Sequence, residues 1–66
     1  MITPAEARAR VDVIKAVYDD PEDAHGKEDE LRHDVLQAIA EGSKYGRALA
    51  EIALTTSEIE FPRWCA

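Results

Sequence analysis

Apolar residues recur along this chain with helical spacing, in three segments parted by turn signals. In "ITPAEARARVDVIKAVYDD", Ala7, Val11, Ile14 and Tyr18 share one face at 100° per residue, with Val17 beside them and Arg10 near the edge. Thr3 followed by Glu6 predicts a capping box. Pro4 takes the first helical position, where a missing N–H is not needed. Glu6 and Arg10 are ordered for an i,i+4 pair. The β-branched valines weaken local propensity, so tertiary packing has to hold this helix.

A second start signal follows in "DDPED", with Asp20 as N-cap, Pro21 at N1, and Glu22 and Asp23 in the first turn, where the helix dipole favours acids. The pattern predicts a second helix from Pro21 to about Glu41, with Ala24, Leu31, Val35, Ala38 and Ile39 as its stripe and Leu36 on the flank. Gly26 is its weak point, and a break there with a fresh start near Lys27 is the alternative. Gly42 supplies the residue that a helix end prefers, and Ser43 is placed to cap a third helix, "KYGRALAEIALTT". On that helix Tyr45, Ala48, Leu49, Ile52 and Thr56 face inward. Leu54 points the opposite way and needs a cover. The last stretch, "SEIEFPRWCA", alternates Ile59 and Phe61 against Glu58 and Glu60. Pro62 holds Phe61 extended. The fold class expected is all-α: three helices in a single domain, residues 1–66, with an extended C-terminal tail packed on the helices.

Size changes the picture. Sixteen larger apolar side chains lie between Val11 and Trp64, a thin supply for a free-standing chain of 66 residues. Small scaffolds of this kind add a disulfide, a metal or a partner chain. The lone Cys65 cannot close an internal disulfide and argues for a reducing compartment. No leader pattern and no long apolar run is present, so a cytoplasmic protein off the membrane is expected.

The net charge of −6 is not spread evenly. Residues 18–30, "YDDPEDAHGKEDE", carry all of it, since residues 1–17 sum to +1 and residues 31–66 to −1. Such a patch repels nucleic acid, and Arg8, Arg10 and Lys15 form no basic stripe to outweigh it. It suits a basic protein surface, with Asp20, Glu22 and Asp23 as contacts. The plainer reading is a solvated helix start.

Within the second helix the candidate chemistry is His25, Glu28, Asp29 and Arg32. Taking Leu31 as the origin, Glu28 lies at roughly 60°, inside the apolar stripe, whereas Arg32, His25 and Asp29 lie on its flank and His33 faces water. A carboxylate on a core face needs partners. His25, Arg32, Arg10 of the first helix and the Trp64 indole are within reach, which makes Glu28 a structural anchor. The alternative is a metal site of His25, Glu28 and Asp29, but one helix presents three such ligands poorly. An EF-hand fails, because placing Gly26 at loop position six puts Pro21 at position one and Arg32 at position twelve. Gly26, Gly42 and Gly46 form no phosphate loop, and Tyr18 and Tyr45 belong to apolar stripes. No catalytic residue and no cofactor is expected. In the tail, Phe61, Arg63 and Trp64 either complete the core or dock on a partner, since Trp and Arg are common interface anchors.

The stretches "DDPEDAHGKEDEL", "VLQAIAEG" and "LAEIALTTSEIEFPRWCA" resemble a group of small uncharacterised acidic helical proteins encoded by actinobacteria and their phages. The resemblance covers residues 19–66, with "AHGKED" and "FPRWCA" as its most specific parts. It implies a setting and not a function, one in which small non-enzymatic accessory roles are common, and it suggests that those two pieces belong to one unit, in agreement with Glu28 or His25 meeting Trp64. The expectation is a non-catalytic interaction module whose partner is another protein or a second copy of itself.

Overall fold

The computed structural model describes residues 1–63, so the expectations for Trp64 and Cys65 lie outside the described residues. Helix α1 spans Pro4–Ala16, α2 Pro21–Ala40 and α3 Gly46–Leu54; a 3-10 turn, Thr55–Glu58, continues α3. Among the described residues there is no strand. No helix there is long and apolar enough to cross a membrane.

Both early helix starts form as the local chemistry dictates. The Thr3 hydroxyl accepts from the Glu6 N–H at 3.2 Å, and the Asp20 carboxylate accepts from the Asp23 N–H at 3.3 Å. Helix α2 runs through Gly26 without a break. It ends in a Schellman motif: Gly42 adopts φ +90°, the Ser43 N–H reaches Ala38 O at 3.0 Å, and the Gly42 N–H reaches Ile39 O at 3.0 Å. That turn uses Ser43, so Ser43 does not cap α3. Its hydroxyl accepts instead from the Tyr45 N–H at 3.1 Å, and α3 begins two residues later than expected, without a side-chain cap.

The core is built by all three helices, each packed on the other two. Helix α1 buries Ala7, Val11 and Ile14; α2 buries Ala24, Leu31, Val35 and Ala38; α3 buries Leu49 and Ala53. Ile2 and Phe61, from outside the helices, complete it. The 34 Å long dimension of the molecule is set by α2, whose twenty residues span about 30 Å.

Three positions differ from the periodic reading. Tyr18 is exposed because α1 stops at Ala16 and the turn rotates it outward, leaving Val17 to pack on the core. Tyr45 is exposed because it precedes α3 and does not share its face. Ile39 stays 41% exposed at the α2 edge. Arg10 reaches across to α2, donating to Asp34 at 2.7 Å, so it serves neither Glu6 nor Glu28. Helix α3 packs antiparallel to α2. Ile39 lies against Gly46, where an added Cβ would stand 3.3 Å from the Ile39 side chain, and Arg32 reaches Thr56 and Ser57 at 3.1 Å.

Candidate functional site: a buried carboxylate clamp and an apolar groove

Helical periodicity alone carries Glu28 into the core, where it is 1% exposed. Its position one turn before Leu31 leaves it no path to water. It is held by a fork from the tail. Arg63 Nε donates to Oε1 at 2.9 Å and Arg63 Nη2 to Oε2 at 3.0 Å, the bidentate geometry that suits guanidinium and carboxylate. Arg32, one turn further along α2, stands 3.5 Å from Oε2. Two cations therefore face one buried anion.

The same guanidinium closes the end of the 3-10 turn. Arg63 Nη2 also approaches Thr56 O at 2.8 Å and Ile59 O at 3.1 Å, and Nη1 donates to Phe61 O at 3.3 Å. Thr56 O already accepts from the Ile59 N–H at 3.0 Å and takes Arg63 as a second donor, while Ile59 O and Phe61 O belong to the extended chain past the turn. The Phe61 ring lies under the guanidinium, 3.9 Å from its carbon to the ring centre. Pro62 and the extended backbone at Ile59 set this approach. Phe61 is buried, so both it and Arg63 are turned into the fold.

Burial pushes the Glu28 carboxyl upward. The Arg63 fork, the buried Thr56 hydroxyl and the charges of Arg32 and Arg63 together outweigh it, leaving the group below its ordinary value. The Thr56 hydroxyl donates to the Ala53 carbonyl at 2.9 Å and accepts from Arg32 at 3.1 Å. Arg63 is raised above its ordinary value, chiefly by its hydrogen bonds to Glu28. A carboxylate held this way is ionised and doubly occupied at neutral pH.

The remaining members of the polar cluster stand apart from the clamp. His25 Nε2 pairs with Asp29 at 3.4 Å on the outer flank of α2, and its buried Nδ1 has no hydrogen-bond partner. His25, Glu28 and Asp29 do not converge on one point. Among the described residues no group of three or more His, Cys, Asp or Glu side chains is arranged to hold a metal ion. In the acidic segment, Asp20 caps α2 and Asp23 holds Lys27 at 2.5 Å, so only Glu22 of the three expected contacts has no such local role.

A second feature lies across Arg32. Val35, Leu36, Ile39, Ala50, Ala53 and Leu54 line an apolar groove between α2 and α3 of about 260 Å³. Leu36 and Leu54, each 66% exposed, form its walls. Leu54 was expected to need a cover, and among the described residues it remains open. The sequence signal for the groove was present in two halves, Leu36 on one flank and Leu54 opposite Tyr45, but joining them required the register of α3 on α2.

Fold and site together define a small three-helix protein locked by an arginine–carboxylate clamp beside an open apolar groove. No family model matches this chain, and no similar curated protein or solved structure was found.

Proposed function

We propose that the chain is a non-catalytic interaction module of the cytoplasm that offers its α2–α3 groove to a protein partner. One observation carries this reading: Leu36, Ile39 and Leu54 are exposed side by side along one groove. Single exposed apolar residues are ordinary, but a contiguous set on so small a domain marks a contact surface. The groove has few polar groups, which suits anchoring by apolar side chains and not the recognition of a charged substrate. The clamp ties the chain at Arg63 to α2, while the groove stays open among the described residues.

The test is affinity capture from lysate with the wild type, Leu36→Lys, Leu54→Lys and Trp64→Ala. The expected result is a partner retained by the wild type and Trp64→Ala but lost with both lysine variants. A partner lost only with Trp64→Ala would move the contact to the tail. A partner released by moderate salt and indifferent to Leu54 would move it to Asp20, Glu22 and Asp23.

A further inference from the structure

Resting on the interaction-module reading, we propose that the groove is occupied by the same groove of a second copy. The two copies dock antiparallel, about a two-fold axis that crosses the helices near Leu36 and Ala50.

The two ends of the groove differ in their flanking charges. Because α3 runs back along α2, one end carries Arg32 and the close of the 3-10 turn, and the other carries Ile39 and Gly46. Beyond the first end lie the exposed acids Asp29 and Glu58; the second carries the exposed acid Glu41 and, beyond it, the exposed bases Lys44 and Arg47, the latter paired with Glu51 on its own helix. The middle, Leu36, Ala50 and Leu54, carries no charge. Asp29 stands about 10 Å before Leu36 by helical rise, and Lys44 lies past the other end, in the turn that joins α2 to α3. A two-fold axis crossing the helices exchanges the ends, so Lys44 of each copy comes over Asp29 of the other, and both pairs form together. An axis along the helices would instead set Asp29 against Glu58 of the second copy, like charge on like.

The apolar parts match under the same operation. Leu36 meets its equivalent near the axis. Leu54 of one copy falls over the start of α3 of the other, between the small Gly46 and Ala50. The acidic start of α2 does not oppose this docking. Asp20 lies about 24 Å along the helix from Leu36, several times the Debye length of about 8 Å at physiological ionic strength, and the two acidic ends point away from each other. Three exposed aliphatic side chains per copy make a small interface. The expected dissociation constant is on the order of 100 µM, as befits contacts under about 1,200 Å².

Analytical ultracentrifugation of the full chain tests this, from about 5 µM to about 1 mM, a range that brackets such a constant. Five samples are compared: wild type, Leu54→Lys, Asp29→Lys, Lys44→Glu, and an equimolar mixture of the last two. All the substituted side chains are exposed, and far-UV circular dichroism confirms that each variant keeps its helices. The expected results are a wild-type dimer, a monomer for Leu54→Lys, and at least tenfold weaker association for each charge variant alone. The mixture regains wild-type affinity. In a mixed dimer the two substituted positions face each other with their charges exchanged, and the second pair is native. A wild type monomeric throughout, a dimer indifferent to Leu54→Lys, or a mixture no tighter than its components would overturn the proposal. A monomeric wild type whose groove variants still lose a captured partner would refute self-docking while leaving the interaction module standing.

Discussion

The clamp and the outer face of α3 each hold an arginine–glutamate pair at almost the same distance. Arg63 Nε lies 2.9 Å from Glu28, and Arg47 Nε lies 3.0 Å from Glu51. Distance does not separate them; burial and connectivity do. Glu28 is 1% exposed and Glu51 66%. The exposed pair joins one turn of one helix, where water and salt screen it. The buried pair joins α2 to the tail across 35 residues and brings three backbone carbonyls into the same network. Breaking it leaves a core-facing group without a partner, whereas breaking the other returns two side chains to solvent.

The largest expected effect is at Glu28. Glu28→Gln keeps the shape, removes the charge and leaves the Arg63 fork without its anion. Loss of one partner from a buried pair costs about 3–5 kcal/mol. Arg63 is about one-third exposed and partly resolvates, so about 2 kcal/mol is expected here. In a domain of this size that lowers the melting temperature by about 10 °C in a thermal scan. Replacing both partners, Glu28→Met with Arg63→Met, should recover more than half of the loss, because no unpaired charge remains. A melting temperature for Glu28→Gln within about 3 °C of wild type would erase the distinction between the two pairs.

Acid sharpens the same contrast with a smaller effect. The carboxyl of Glu28 is depressed in the fold, so folding favours its ionised form. Its contribution is complete above the unfolded value of about 4.3 and is lost as pH falls through the lower folded value. Wild type should therefore lose stability more steeply than Glu28→Gln below about pH 4, and the two melting curves should converge. Parallel losses for the two proteins between about pH 5 and about pH 2 would show that Glu28 is not the group being protonated.

The contrast also marks which parts of this molecule a reader of the chain can find. Thr3–Pro4, Asp20–Pro21 and Gly42 act within four residues of themselves, and the helix ends they signal are where the structure places them. Glu28 was legible as a core carboxylate because its position follows from period alone. Its partner was not. Arg63 reads as an interface anchor beside Trp64, although a fork that can occupy both oxygens suits an enclosed carboxylate better than a single indole N–H. The late start of α3 was hidden for a different reason: Ser43 has cap chemistry, but the Schellman turn had already used it. Tyr18 and Tyr45 mislead in the same way, since periodicity extended past a helix end predicts a face that no longer exists.

The smallest expected effect tests the comparison from its other side. Arg47→Ala removes a pair as short as the clamp's, yet the Arg47 side chain is almost wholly in solvent and its partner sits one turn away on the same helix. Arginine and alanine have similar helix propensity, so the substitution isolates the ion pair from the backbone. At about 10 µM, where two copies would stay apart, the melting temperature should move by less than about 3 °C, and added salt should shrink even that difference. A loss near that of Glu28→Gln would mean that proximity alone stabilises such pairs in this chain. The buried carboxylate would then be an ordinary ion pair that happens to lie inside, and the tail's attachment would have to be explained by Phe61 and its packing.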